Sequence, residues 1–253
     1  MKSKAQRSDT ASRKRILLVD DHPLMREGIA LWIQRSPELE VCGQASSAQE
    51  AIGLVGKLKP ELVVTDISLN GRNGLELIKD LQSYDPELPI LVVSMHDEMH
   101  YAERALRAGA RGYIMKEAGG EKLIEAIETV MGGHVYVSPK MSASIVENLS
   151  VRKPRGSNAP LLQLSDREFE VFELTGLGLT THDIAQRLGL STKTVDVHRR
   201  NIREKLQISD VTGLIRHAVR WTEAQAADKE SSVETAISRK PVKRERPGKR
   251  KKK

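Results

Sequence analysis

Three aspartates lie at the ends of two apolar runs that have the pattern of buried strands. Asp20 and Asp21 end the run RILLVDD, and Asp66 ends the run ELVVTD. In an open parallel sheet, ligands bind at the edge formed by the carboxyl ends of the strands, so we expect these carboxylates to lie close together. Crowded carboxylates repel one another unless a cation joins them, and Mg²⁺ accepts both carboxylate and phosphate oxygens. The sequence therefore predicts a Mg²⁺ site formed by Asp20, Asp21 and Asp66.

Phosphoryl transfer is the chemistry that this arrangement indicates. Asp66 is the candidate nucleophile, which would form an acyl phosphate. Ser94, at the end of a fourth apolar run, offers a hydroxyl donor, and Lys116, after a fifth, offers a positive charge for the phosphate oxygens. Polar residues at strand ends are ordinary when taken singly, so the prediction depends on their joint placement. His22 lacks a second histidine at ligand spacing, and we interpret it as a surface or loop residue.

A second group of polar residues lies on a predicted helix near the C-terminus. From Thr181 the chain has a helix, a glycine-containing turn and a second helix, which is the layout of a DNA-reading element. On a helical wheel Val195 and Ile202 face the core. The residues that we predict to face DNA are Ser191, Thr192, Lys193, Asp196, Val197, Arg200 and Asn201. An ordinary amphipathic helix in a small bundle is the alternative interpretation of the same wheel.

Each of these residue types has a counterpart on DNA. The start of the helix at Ser191 and Thr192 suits phosphate oxygens, since backbone N–H groups point outward there. Arg200 can reach phosphate or guanine, Val197 can contact a thymine methyl, and Asp196 can accept from cytosine.

The elements that must position these residues follow from hydrophobic periodicity. Five β-branched and leucine-rich runs alternate with helical patterns, which predicts a parallel sheet with helices on both faces. The predicted strands lie near 16–20, 41–45, 62–66, 90–94 and 112–115. The predicted domains are a disordered basic N-terminus at 1–13, an α/β domain at 14–135, a linker with a possible helix at 136–160, an all-α domain at 161–222 and a disordered basic tail at 223–253.

Charge and composition limit the class of protein. The net charge of the 253 residues is +7, but residues 16–137 carry 19 acidic and 11 basic residues, so the basic character comes from the ends of the chain. Cys42 is the only cysteine, which excludes an intramolecular disulfide and a multi-cysteine zinc site. No apolar run approaches the roughly 18 residues of a membrane helix. We therefore expect a cytoplasmic protein without a membrane partner.

The acidic half of the chain resembles a known family. Over about residues 14–135 the segments VDDHP, VVTDISLNGRNG, VVSMHD and GARGYIMKEA resemble the receiver domain of two-component response regulators. The resemblance implies a flavodoxin-like, five-stranded parallel sheet of order 2-1-3-4-5, with Mg²⁺ on Asp20 and Asp21. It implies that Asp66 receives a phosphoryl group from a sensor histidine kinase. The residues that it assigns to sensing phosphorylation are Ser94, Tyr113 and Lys116. Asn70 and Glu117 replace common prolines, so the local loop geometry is not implied.

The helical half resembles the effector domain of the NarL/FixJ, or LuxR-type, family. The resemblance covers residues 162–222 through LSDREFEVFEL and GLTTHDIAQRLGLSTKTVDVHRRNIREKLQI. It implies a four-helix domain with a scaffold helix at 182–188, a recognition helix at 192–206 and a last helix near 211–220 in dimer contacts. Asp196, Val197 and Arg200 match base-facing positions of the family, of which the first is frequently lysine.

These observations predict a response regulator and leave two rivals. Phosphorylation of Asp66 would control binding to double-stranded DNA, with a homodimer as the phosphorylated form and no turnover of substrate. A metal-dependent phosphatase is a poorer fit, because Ser68 stands where such an enzyme needs a second acid. A DNA-binding regulator that is independent of phosphorylation, with a receiver that only dimerises, is the other alternative. The basic tails suit either DNA anchoring or solubility.

Overall fold

The protein is described by a computed structural model that covers residues 13–69, 72–150 and 160–238. Five parallel strands form its sheet in the order β2-β1-β3-β6-β7, which confirms the predicted fold class. The sheet strands are β1 (Lys14–Val19), β2 (Leu39–Ala45), β3 (Leu62–Thr65), β6 (Ile90–Ser94) and β7 (Gly112–Met115). When these five strands are counted along the chain, their order in the sheet is 2-1-3-4-5.

Helices cover both faces of the sheet. They are α1 (Pro23–Gln34), α2 (Ala48–Leu58), α3 (Gly74–Tyr84), α4 (Glu98–Ala108) and α5 (Gly120–Met131). One layer of the core packs β1, β3 and β6 against α1 and α5, and the opposite layer packs them against α2, α3 and α4. The central strands are buried on both faces, which explains why their sequences are nearly continuous apolar runs.

A two-stranded hairpin follows β3 and was not predicted. It pairs β4 (Ser68–Leu69) with β5 (Arg72–Asn73) in antiparallel register. Asn70 lies outside the described residues, so the effect of its replacing proline is untested. Gly74 begins α3 where a Cβ atom would overlap the Asp66 carbonyl oxygen, so a side chain there would displace the loop that carries Asp66.

The C-terminal half is helical. Helix α6 (Pro139–Ser150) occupies the predicted linker, and the domain beyond it consists of α7 (Asp166–Gly176), α8 (Thr181–Leu188), α9 (Thr192–Leu206) and α10 (Val211–Ser238). Capping boxes at Ser165 and Thr180 start α7 and α8, and the Ser191 hydroxyl accepts from Thr194 N at the start of α9. Gly189 ends α8 in the left-handed conformation that glycine adopts without strain.

The prediction of a disordered tail from residue 223 is wrong for residues 223–238. Helix α10 continues to Ser238 instead of ending near 220. The segment has few apolar residues, but it is rich in alanine and glutamate and has no glycine or proline, so a helix that is anchored at Leu214 and Ala218 can propagate. Residues 1–12, 151–159 and 239–253 lie outside the described part of the chain, and they include nearly all of the predicted N-terminal tail and the last 15 residues of the predicted C-terminal tail. Along its described residues the chain has no helix with the length and apolar character needed to cross a membrane.

The two folded halves contact each other. One hydrophobic cluster runs from α3 and α4 into α7, α9 and α10. At its centre Tyr101 of α4 packs edge-on against Phe169 of α7, with ring centroids 5.2 Å apart, and Phe169 packs against Trp221 of α10. The structure is therefore a closed arrangement in which α4 lies against the helical domain.

Candidate functional site

The three predicted aspartates meet at the carboxyl edge of the sheet. Asp20 and Asp21 follow β1, and Asp66 follows the adjacent β3, whose register places Val19 beside Thr65. Together with His22 they present ligand atoms that all lie within 4.8 Å of one another. Asp20 and Asp66 are buried, so their carboxylates have little water with which to share their charge. Oxygen donors at this spacing suit a hard divalent cation such as Mg²⁺.

Backbone groups orient two of these carboxylates. Asp66 Oδ1 accepts from Ile67 N at 2.6 Å, and Asp20 Oδ1 accepts from His22 N at 2.8 Å. Arg26 of α1, which we did not predict as part of the site, donates to the Asp20 carbonyl oxygen and to Gln44. These contacts fix the loop after β1 and leave the second oxygens of Asp20 and Asp66 for Lys116.

Lys116 joins the carboxylates from β7. Its Nζ lies 2.7 Å from Asp66 Oδ2 and 2.7 Å from Asp20 Oδ2, and only 3 % of its side chain is exposed. Burial alone would lower the pKa of Lys116, but Asp66 and Asp20 outweigh burial and raise it, so the ammonium stays charged. Lys116 begins a short 3₁₀ helix that also contains Glu117. The described residues contain no cis peptide bond.

We expect Lys116→Met to destabilise the fold by about 3 kcal/mol, because two buried carboxylates lose their shared cation. Urea denaturation measures the change. Added Mg²⁺ should restore part of the loss, since a bound cation compensates the same charges. Lys122→Met removes an exposed lysine of α5 and should leave the unfolding free energy unchanged. Equal stability of the two variants would mean that the cluster does not depend on Lys116.

Ser94 ends β6, and Tyr113 lies in the adjacent strand β7. The Ser94 side chain is fully buried, and its Oγ accepts from His96 N at 3.3 Å. Tyr113 is also fully buried and donates its hydroxyl to the His96 carbonyl oxygen at 2.8 Å. Burial raises the pKa of Tyr113 well above its usual value, so the hydroxyl remains a donor. Ser94 and Tyr113 therefore contact the same loop, between β6 and α4.

The predicted DNA-facing residues lie on α9 as the helical wheel indicates. Val195 and Ile202 are buried, and Arg199 turns inward to the Thr181 hydroxyl at 2.7 Å. The exposed face consists of Ser191, Thr192, Lys193, Asp196, Val197 and Arg200, with Asn201 half-buried at its edge. Arg200 forms an ion pair with Glu204 at 3.9 Å, and both side chains are largely exposed. These six residues are therefore accessible to solvent in the closed arrangement.

Several contacts across the domain boundary could not be predicted from sequence. Arg104 of α4 is buried and donates to the carbonyl oxygens of Leu161 and Leu164, at 2.5 and 2.8 Å. Lys79 of α3 pairs with Asp166 at 2.7 Å. Each of these residues has the pattern of an ordinary helix surface position, and no local signal marks its partner in the other domain.

Comparisons with known protein families match both halves of the chain. Residues 16–128 match the family model of the response regulator receiver domain. Residues 162–218 match the model described as bacterial regulatory proteins of the luxR family. These ranges contain Asp20, Asp66, Lys116 and all of α9. Together the two models cover most of the described residues.

Several individual proteins are similar to this chain. The chain is 33 % identical to the oxygen regulatory protein NreC of Staphylococcus carnosus, over 81 % of this chain and 97 % of NreC. It is 34 % identical to the response regulator GacA of Pseudomonas aeruginosa, over 84 % of this chain and 99 % of GacA. Among solved structures, a LuxR-family two-component response regulator from Aurantimonas sp. SI85-9A1 has a TM-score of 0.52 at 36 % identity, over 55 % of this chain and all of that one.

A further solved structure supports the fold alone. RcsB of Salmonella enterica serovar Typhimurium, bound to promoter P1flhDC in the presence of the phosphomimetic BeF₃⁻, has a TM-score of 0.59 at 23 % identity. The match covers 82 % of this chain and 98 % of that one.

Proposed function

This chain belongs to the two-component response regulators that carry a receiver domain and a LuxR-type DNA-binding domain, and we propose that a phosphoryl group on Asp66 controls its binding to DNA. The observation that carries the proposal is the junction of Asp20, Asp66 and Lys116 at one edge of the sheet, with both carboxylates 2.7 Å from the ammonium. The matched family consists of transcription regulators and not of turnover enzymes. A nucleophile that accepts a phosphoryl group as a signal fits such a family.

The chemistry is a transfer between two nucleophiles. A carboxylate oxygen of Asp66 forms a bond to phosphorus while the bond from phosphorus to a histidine nitrogen of the sensor kinase breaks, and that nitrogen keeps the electron pair. Asp20, Asp21 and Asp66 would hold Mg²⁺, which supplies positive charge for the phosphoryl oxygens. Lys116 neutralises charge at Asp66 and is placed to contact the product, because its Nζ already lies at the acceptor carboxylate.

The response begins at Ser94. A phosphoryl group adds a charge of about −1.5 to −2 and three strong acceptors, which attract the Ser94 hydroxyl and the Lys116 ammonium. In the structure without a phosphoryl group, Ser94 accepts a hydrogen bond from His96 N, and Tyr113 donates one to the carbonyl oxygen of His96. A change at Ser94 would therefore alter the loop that leads into α4, which is the helix in contact with the DNA-binding domain.

The test is to treat the full chain with acetyl phosphate and Mg²⁺ and to follow its mass, its sedimentation and its affinity for DNA. A DNA site is first selected from a random library. We expect a mass gain of one phosphoryl group, formation of a homodimer and tighter binding to a two-fold-symmetric site. Phosphorylation without any change in association or affinity would favour the regulator that is independent of phosphorylation.

We expect Arg200→Ala to weaken binding to the selected site by about 1–3 kcal/mol and to relax the preference for the base pair that it contacts. Arg200 is exposed on the outer face of α9, where its ion pair with Glu204 is also exposed to water. Competition binding against single-base variants of the site measures both effects.

The control for Arg200 is a lysine far from α9. Lys57→Ala removes one positive charge from α2, on the receiver, and should leave affinity and base preference unchanged. Uniform weakening on all sites, with a salt slope reduced by about 0.9, would reassign Arg200 from base to phosphate contact. Equal affinity of Arg200→Ala and the parent protein would remove α9 from the interface with DNA.

A further inference from the structure

His96 connects the phosphoacceptor site to the DNA-binding domain. Its backbone contacts two of the predicted sensing residues, because its N–H donates to Ser94 Oγ and its carbonyl oxygen accepts from Tyr113. Its ring Nε2 lies 2.8 Å from the Ser68 hydroxyl, two residues after Asp66. One side of the His96 ring therefore faces the loop that follows Asp66.

The other side of the ring faces the effector domain. His96 Nδ1 lies 3.7 Å from Glu173 Oε2 on α7, and the two side chains are 27 % and 22 % exposed. The Tyr101 ring of α4 packs against the His96 ring, with centroids 4.4 Å apart. The Tyr101 hydroxyl donates a hydrogen bond to Glu173 at 2.6 Å. Two receiver side chains thus bind one carboxylate of the DNA-binding domain.

The charges around His96 favour its protonated form. Burial alone would lower the pKa of His96, but Glu173, Asp66 and Glu170 outweigh burial and raise it. Burial likewise opposes ionisation of Glu173, and His96 is the main cause of the net lowering of the pKa of Glu173. The other titratable or charged groups near this pair are Tyr101, Tyr113, Asp97, Glu98, His100, Lys116 and Arg167.

We propose that His96 and Glu173 form a proton-dependent latch that holds the DNA-binding domain on the receiver and that moves when the Ser94 loop moves. In an open arrangement His96 would be more exposed to water and nearer to the ordinary histidine pKa, whereas closure brings the carboxylates of Glu173 and Glu170 on α7 to it. Closure therefore takes up a proton. Its contribution is fully present below the ordinary histidine pKa and is lost as the pH rises through the raised value of the closed form.

This proposal rests on the proposed function only for the link to Asp66, because closure itself needs neither phosphate nor Mg²⁺. The experiment measures closure directly in the unphosphorylated full chain. Spin labels on Lys57→Cys of α2 and Gln186→Cys of α8, both exposed, report the distance between domains in a Cys42→Ala background. Distances are recorded between about pH 6 and pH 8.5, which spans the titration of histidine.

We expect the ratio of closed to open molecules to fall with rising pH, by at most about tenfold per pH unit, as one proton is lost. His96→Gln and Glu173→Gln should each shift the population toward the open form and remove the pH dependence. Glu173→Gln keeps an oxygen that can accept from Tyr101, so it isolates the charge. His134→Gln alters an exposed histidine of the same domain and should behave as the parent protein.

Two outcomes separate this proposal from the proposed function. An unchanged pH dependence in His96→Gln, or a closed population that does not respond to pH in the parent protein, overturns the latch. In either case Asp66 can still be tested for phosphorylation by mass. A pH-dependent latch in a protein that acetyl phosphate does not modify would instead retain the latch and overturn phosphorylation as its control.

Discussion

Asp66→Asn is expected to abolish the mass gain from acetyl phosphate and Mg²⁺ completely, together with the change in association and DNA affinity. The amide has no anionic oxygen to attack phosphorus, whereas the remaining geometry changes little because the amide oxygen can still accept from Ile67 N. Lys116 also retains Asp20 as a partner at 2.7 Å. Intact-protein mass spectrometry, sedimentation and DNA binding measure the three effects.

The control for Asp66 is an exposed aspartate outside the site. Asp85→Asn, after α3, keeps an oxygen that can accept from Glu87 N, so it should fold and become phosphorylated as the parent protein does. The phosphoryl group on the parent protein should be released by hydroxylamine, which attacks acyl phosphates and leaves phosphoserine intact. A full mass gain in Asp66→Asn would place the phosphoryl group on another residue.

The acidic site could be predicted because its members are marked by local patterns. Asp20, Asp66, Ser94 and Lys116 each stand where a β-branched run ends, and the rules of parallel sheets bring such ends to one edge. The parallel sheet itself follows from the alternation of strands with helices. The two-residue strands around Ser68 could not be predicted, since strands of that length show no periodicity.

Helix α9 could be predicted for a related reason. Its capping serine, the glycine before it and the spacing of Val195 and Ile202 are all local signals. The outward face follows once the buried face is known. The end of α10 could not be located in the same way, because the helix continues beyond Ala218 into a sequence without hydrophobic periodicity, where helix propensity decides.

The boundary between the domains is where prediction from sequence stops. Glu173 has the appearance of a solvent-facing residue on an amphipathic helix, and His96 that of a polar residue in a loop. Their proximity depends on how two separately folded units dock, which periodicity does not describe. A buried cation on α4, Arg104, is equally invisible, because a single arginine on a helix is most often solvated. In the proposed mechanism these residues carry the response at Asp66 to the domain that contains α9.

Arg104→Met is expected to open the two domains. The arginine donates to the Leu161 and Leu164 carbonyl oxygens and stacks on Phe169, with its guanidinium carbon 4.3 Å from the ring centroid. Methionine keeps much of the packing but leaves both carbonyl oxygens without this donor. We expect a loss of about 3 kcal/mol of docking free energy, which is roughly a 100-fold shift toward the open form. The spin-label distance between α2 and α8 measures the shift.

Arg107→Met is the matched control, because Arg107 lies one turn further along α4 and forms an ion pair with Glu103 of the same helix. It should leave the distance between the domains unchanged. If closure restrains DNA binding, Arg104→Met without a phosphodonor should approach the DNA affinity of the phosphorylated parent protein, although Asp66 is unmodified. Opening without any gain in affinity would mean that phosphorylation acts through pairing of receivers, and that release of α4 from the DNA-binding domain is not sufficient.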